Sequence, residues 1–85
     1  GTAPTLQGQN RANPMAMILA AAGLLSHMKE AEAKRASRAI YEATLETVYD
    51  GVKTADIGGT ANTDEFTNEV IRRVRAKLEV WSALS

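Results

Sequence analysis

GTAPTLQGQNRANP (residues 1–14), running directly into MAMILAAAGLLSHM (residues 15–28), is the stretch whose reading decides the fold. The first half holds both prolines of the chain (Pro4, Pro14), two of its six glycines (Gly1, Gly8) and four side-chain amides (Gln7, Gln9, Asn10, Asn13). Each proline removes a backbone donor and biases the preceding residue away from helical geometry, so no regular element fits there. The second half places Met15, Ala16, Met17, Ile18, Leu19, Leu24 and Leu25 around every face of a helix, the pattern of a buried one. The junction therefore reads as a long polar loop delivered onto a helix N-terminus, with Asn13 as cap and Pro14 as first helical residue. Unpaired N–H groups and the helix dipole favour an anion or a polar ligand at such a place.

Working outward, a charged connection over residues 29–34 leads to a second helix, expected from about Ala31 or Ala36 to Tyr49. Its candidate inner face is Ala36, Ile40, Ala43 and Thr47, flanked by Ala39, Leu45 and Val48. That stripe is narrow and alanine-rich, which permits close helix approach but buries little area. Arg35, Arg38, Glu42 and Glu46 read as its solvated face, where a pair such as Arg38–Glu42 contributes only about 0.2–0.5 kcal/mol. Asp50-Gly51 ends the helix, with Gly51 suited to the left-handed position just past it. Residues 52–62 are a polar, glycine-bearing loop with room for one extended pair. Asn62 caps a third helix and Glu65, three residues on, can return the hydrogen bond. In that helix Phe66, Val70, Val74 and Leu78, with Ile71 and Trp81 alongside, form one apolar stripe for core packing.

Composition narrows the function classes. Eighty-five residues suit one small domain, and a chain of that size buries only about 60–65% of its unfolded surface. Ten basic and ten acidic residues give zero formal net charge, so no global field points to nucleic acid or an anionic membrane. The absence of cysteine excludes disulfides and thiolate metal sites, and a single histidine, His27, excludes a histidine metal cluster. The longest apolar run is far short of the ~20 residues that span a bilayer, and no basic region precedes it as in a signal peptide. The sequence begins without methionine and inside a motif, which suggests a fragment of something longer.

Two blocks give the sequence a specific resemblance. GTAP, then Gly8, then ANP opening an apolar helix, resembles the cofactor loop of the β-decarboxylating dehydrogenases, the isocitrate and isopropylmalate dehydrogenase family. Downstream, Thr54-Ala55-Asp56-Ile57-Gly58-Gly59, then Thr63-Asp64-Glu65-Phe66-Thr67 and an amphipathic helix, is similar to that family's C-terminal end. The blocks follow the family's order and approximate spacing and cover nearly the whole chain. The resemblance implies that the first loop wraps the adenosine half of a nicotinamide dinucleotide, with Gly1, Thr2, Ala3, Pro4, Thr5, Leu6, Asn13 and Asp56 as cofactor-binding residues. The physical chemistry suits that role. Gly1 and Ala3 let backbone approach phosphate or ribose, Thr2 offers a hydroxyl, and Asn13 has the donor and acceptor that an adenine edge requires.

Thr5-Leu6 departs from the family pattern. NAD-using members carry an acidic residue after GSAP or GTAP, and bacterial NADP-using isocitrate enzymes carry Lys-Tyr. Leu6 is closer to the aliphatic residue of NAD enzymes and favours NAD, while Arg11 could meet a 2′-phosphate and keeps NADP open. The family's substrate arginines, its tyrosine–lysine acid/base pair and the aspartates that hold Mg²⁺ or Mn²⁺ have no match here. Asp50, Asp56 and Asp64 read as a helix end, a turn and a first-turn helix charge, and Tyr41 and Tyr49 lack a lysine partner in the right context.

The expected fold is all-α as an isolated segment, a long N-terminal loop plus three helices, and part of the α/β large domain of a dehydrogenase-like parent. Its expected segments are a cofactor-type loop (1–14), a buried helix (15–28), a helix (31–50), a loop (51–62) and an amphipathic helix (63–81). The implied parent oxidises and decarboxylates a 2-hydroxy acid. GTAP, ANPMAMI and DEFTNEVI favour the isocitrate branch over isopropylmalate. The expected partners are the rest of the parent and further copies of itself, with no nucleic acid and no membrane. The expected location is the cytoplasm, or the mitochondrial matrix in a eukaryote. The competing class is a non-enzymatic helical module whose apolar helix is covered by a second copy. The basic residues Arg72, Arg73, Arg75 and Lys77 share their helix with Glu65, Glu69 and Glu79, which favours a solvated face over a phosphate-binding one.

Overall fold

The structure, a computed structural model, describes residues 13–84. The expectations for Gly1 to Leu6 and for Arg11 therefore lie outside the described residues. Among the described residues three α-helices follow one another: α1 (Met15–Ser26), α2 (Ala31–Tyr49) and α3 (Thr63–Leu84), with a single 3₁₀ turn at Ala55–Ile57 between the last two. No strand forms among the described residues. The one extended pairing is an isolated parallel bridge between Thr54 and Ala61.

Each helix end has a local cause. At the start of α1 the Asn13 side-chain oxygen accepts the Met15 N–H at 2.8 Å, and the Pro14 carbonyl accepts the first helical bond, from Ile18. α1 stops at Ser26, two residues before the expected end at Met28. There the Gly23 carbonyl accepts from the Ser26 hydroxyl (2.6 Å) and from His27 Nδ1 (2.9 Å), side-chain bonds that take over from the helical ladder. At the end of α2, Gly51 N–H donates to Val48 O and Val52 N–H to Thr47 O, with Gly51 at φ +94°. This double bond with a left-handed glycine is a Schellman motif. α3 opens with a reciprocal box, Glu65 N–H to Asn62 Oδ1 and Asn62 N–H to Glu65 Oε1, both 2.8 Å. With no glycine or proline to stop it, α3 runs past Trp81 to Leu84.

α2 is the middle helix, and α1 and α3 pack on two of its sides. Against α1 the contact is made by small residues: Ala22, Ser37 and Ala39 are buried, and the Ser37 hydroxyl donates to the Ala22 carbonyl at 2.7 Å. Against α3 the centre is Ala43, Phe66 and Val70, with Met15, Ile18, Val48 and Val74 packed around them. Thr44 and Thr47 are fully buried and turn their hydroxyls back onto the Ile40 and Ala43 carbonyls, so neither hydroxyl is orphaned.

Several side chains differ from the sequence reading. Leu45 does not flank the buried face: it is 61% exposed, on the outward line of Lys34, Arg38 and Tyr41 at i, i+4, i+7 and i+11. Ile71 is likewise exposed. Trp81 leaves the apolar stripe and lies under the Arg38 guanidinium, 5.3 Å from ring centroid to Cζ. The chain by itself encloses α1 only in part, since Met17 and Leu24 are 79% and 74% exposed.

On α2 the residues expected on the solvated face do stay largely exposed and the Arg38–Glu42 pair forms, but they also join α2 to α3. Arg38, Glu42, Glu46 and Asp50 rise along α2 at four-residue intervals, and Glu69, Arg73, Lys77 and Trp81 descend α3 at the same interval. Arg73 bonds Asp50 (2.6 Å) and Glu69 (2.7 Å), and Lys77 bonds Glu46 (2.7 Å) and reaches Glu42 (3.4 Å). Arg38 closes the series on Glu42 and Trp81. Arg72 pairs with Glu69, so Arg75 alone of the basic cluster makes no ion pair among the described residues.

Arg72 and Arg73, both bonded to Glu69, hold the pKa of its carboxyl at about 2. A folded value below the unfolded one near 4.5 means that its stabilisation is complete above pH 4.5 and is lost as pH falls toward 2. The resistance of the wild-type chain to urea is expected to fall as the pH drops across that window. Glu69→Gln should be less stable than wild type at pH 7 and should converge on it near pH 2. A constant gap between the two at all pH values would refute the assignment.

Candidate functional site

The site is built on the loop between α2 and α3 and on the residue that caps α1. The Schellman turn at Gly51 reverses the chain into extended residues ending at Thr54, which is fully buried. The loop then winds around the Thr54 carbonyl. Ile57 N–H donates to it at 3.1 Å and Gly59 N–H at 3.0 Å, while Gly58 N–H closes on Ala55 O and Ala61 N–H returns to Lys53 O. Two glycines make this possible for different reasons. Gly58 takes a left-handed φ of +91°. A Cβ on Gly59 would lie 1.9 Å from the Lys53 carbonyl oxygen, so only glycine lets these backbones cross.

This winding places Asp56 beside Asn13. The Thr54 hydroxyl donates to Asp56 Oδ1, and the Asn13 side chain lies near enough to the Asp56 carboxyl to help hold its pKa low. The Thr54 bond first, then the Asn13 amide and the Asp56 backbone amide, hold this carboxyl below its ordinary value against partial desolvation. Two residues 43 positions apart in sequence, one from each motif block, thus meet at the N-terminus of α1. A carboxylate there is also favoured by the positive end of the helix dipole.

Asn13 is less free than its sequence suggests. An asparagine amide has two donors and two lone pairs. One lone pair is used by Met15 N–H. The other lone pair and the amide N–H groups remain for further partners, with the Asp56 carboxyl close by. The arrangement sets an amide edge beside a carboxylate on glycine-tight backbone, a set of donors and acceptors suited to a polar ligand. Among the described residues no group of three or more His, Cys, Asp or Glu side chains is close enough to hold a metal ion, and no described helix is long and apolar enough to cross a membrane.

Thr54 is the residue that sequence reasoning misses. A β-branched hydroxyl two residues before an aspartate, the spacing of a side-chain turn, is the signal that points to its role as the loop's hub.

Comparisons with known proteins extend these observations. The sequence model described as isocitrate/isopropylmalate dehydrogenase matches residues 1–70. The chain is 37% identical over 79 residues to a mitochondrial regulatory chain of isocitrate dehydrogenase (NAD) from Dictyostelium discoideum, covering 92% of this chain and 22% of that protein. It is 42% identical over 78 residues to the 3-isopropylmalate dehydrogenase of Listeria innocua, covering 87% of this chain and 21% of the relative. To isocitrate dehydrogenase (NAD) subunit 2, mitochondrial, of Kluyveromyces lactis it is 42% identical over 76 residues, covering 87% and 20% respectively. The chain thus spans about a fifth of the length of these relatives. No solved structure matches it.

Replacing Gly59 by alanine is expected to cost about 1–3 kcal/mol, because the backbone crossing at Lys53 must open. The same change should raise the Asp56 carboxyl toward its ordinary value as the loop loosens. Urea midpoints and carboxyl-carbon NMR titration measure the two effects. A variant with both quantities unchanged would show that the crossing is not what holds Asp56 in place.

Proposed function

This chain belongs to the isocitrate/isopropylmalate dehydrogenase family, and from that premise we propose that it forms the adenosine side of a nicotinamide dinucleotide site. The observation that carries the reading is the meeting of Asn13 and Asp56 at the N-terminus of α1. A family segment that served packing alone would have no need to bring its two loop motifs to one point. On this reading Asn13 presents its remaining N–H and lone pair to the adenine. Asp56 adds a carboxylate for hydroxyl or amine donors, and Gly1 to Leu6 complete the loop around phosphate and ribose.

The proposed parent is a decarboxylating dehydrogenase acting on a 2-hydroxy acid, with isocitrate favoured and 3-isopropylmalate the alternative. A bound nicotinamide accepts the hydride, and Mg²⁺ or Mn²⁺ acts as Lewis acid for the decarboxylation. The metal ligands and the acid/base groups belong, on this reading, to parts of the parent outside these 85 residues. This segment's own work is to bind and orient the adenosine end. NAD is the proposed cofactor over NADP, supported by Leu6 and by relatives whose names specify NAD. The proposed setting is the cytoplasm, or the mitochondrial matrix in a eukaryote.

The exposed apolar face of α1 supports a further part of the reading, a cover supplied by the rest of the parent. It equally suits the second reading, a helical module that self-associates through α1.

Purified alone, the 85-residue chain is expected to show no oxidation of isocitrate or isopropylmalate with either nicotinamide. Detectable turnover would refute the division of labour proposed here. In a full-length dehydrogenase carrying this segment, Asp56→Ala should raise the KM for NAD roughly tenfold or more, the loss of one hydrogen bond to a charged group, with kcat little changed. Titration of the same enzyme with NAD and NADP should show tighter NAD binding. An unaltered KM would remove Asp56 from the cofactor site, and tighter NADP binding would reverse the preference.

A further inference from the structure

On the side of the molecule away from the Asn13–Asp56 junction, the outward line of α2 meets the C-terminal half of α3. There Lys34, Arg35, Arg38 and Trp81 line an open cleft of about 540 Å³. Its lining holds three cations and an indole and no carboxylate. Lys34 and Arg38 sit one turn apart on the same face, where like charges repel. The three cations occupy the first half of α2, beyond a first turn that carries Glu32. A like-charged pair kept one turn apart is expected where a ligand compensates for it.

The hydrogen-bonding capacity there is largely unspent. Arg38 Nε donates to Glu42 Oε2 at 2.8 Å, which leaves the four N–H bonds of its terminal fork. Lys34 Nζ gives one of its three donors to the Ser26 carbonyl at 3.1 Å, anchoring its stem across the α1–α2 turn. The Arg35 side chain makes no hydrogen bond or ion pair among the described residues. The Trp81 ring under the Arg38 guanidinium holds that plane in place and excludes water from one side of it.

We propose that the cleft formed by Lys34, Arg35, Arg38 and Trp81 binds a small phosphate anion of two or more charges, of the pyrophosphate type. A planar guanidinium fork matches phosphate oxygens two at a time, and the lysine adds a point charge. Two cations without carboxylate partners call for at least a dianion, and the cleft has room for two linked phosphate groups.

Trp81 is the only tryptophan of the chain, so its emission reports directly on this cleft. The experiment is a titration of the 85-residue chain with pyrophosphate and, separately, orthophosphate, at ionic strength held constant with sodium chloride. A saturable change with pyrophosphate is expected, with weaker binding of orthophosphate. Arg35→Ala should raise the half-saturation concentration about fivefold or more, the loss of one charge-assisted contact. Lys34→Gln should act in the same direction, and far-UV circular dichroism should show both variants as helical as wild type. Arg75→Ala, which removes the same charge from α3 away from the cleft, should leave the titration unchanged. No response beyond that of sodium chloride, or equal weakening by Arg75→Ala, would overturn the proposal.

Discussion

The structure depends on how closely α1 and α3 can approach α2. Ala39, Ala43, Ser37, Thr44 and Thr47 occupy the positions of α2 that its neighbours cover, and each is buried. Side chains of this size let helix axes come close, and the Ser37 hydroxyl on the Ala22 carbonyl turns that proximity into a directed bond. Larger residues would push the helices apart and break the contact. The drawback of small residues is area: a methyl or hydroxymethyl group removes little apolar surface from water. Among the described residues Phe66 is the one large apolar side chain fully buried, with Val70 in the same cluster. A core this thin leaves the α2–α3 pairing in need of something else.

The charged ladder meets that need. A surface ion pair contributes little when its side chains must be ordered for it alone. Arg73 and Lys77 are different, because packing against α2 already leaves their side chains only 18% exposed. The repeat of four on both helices then brings opposite charges into register over successive turns. It also fixes the antiparallel alignment, since sliding α3 by one turn would set Arg73 against Glu46 and leave Asp50 alone. Apolar contact between small residues holds the helices together, and charge decides the register in which they meet.

What can be read from the sequence is local, and what cannot is mutual. The Schellman turn at Gly51, the Asn62–Glu65 box and the Asn13 cap each rest on residues within a few positions of one another, and each is legible. Leu45 is misplaced by its periodicity because the face of α2 to be covered depends on where two other helices lie. The ladder is hidden for the same reason: Glu42 and Glu46 look like any solvated acids until α3 is set beside them. Trp81 has the spacing of a core residue, but α2 offers it a guanidinium instead of a pocket. At the candidate site, only the family resemblance links Asn13 to Asp56 at the level of sequence. Their meeting depends on the buried Thr54 and on a backbone crossing at Gly59 that no residue pattern encodes by itself.

Asn13 ties the stability of the fold to the proposed function. The same side chain caps α1 through its oxygen and lies beside Asp56, whose carboxyl it helps hold below its ordinary value. Any motion that frays the first turn of α1 therefore also moves the donor and acceptor proposed to meet the adenine. That first turn packs through Met15 and Ile18 onto the cluster of Ala43, Phe66 and Val70, but the outer side of α1, at Met17 and Leu24, is open in this chain. A helix gains most of its stability from covering its apolar faces, not from its propensity. Whatever covers α1, the remainder of a parent enzyme or a second copy of the chain, thus also firms the cap and the position of Asp56. On the proposed reading, affinity for the cofactor and burial of α1 are then two measures of one equilibrium. Cofactor binding at Asn13 should favour the covered helix by the same free energy by which covering the helix favours cofactor binding.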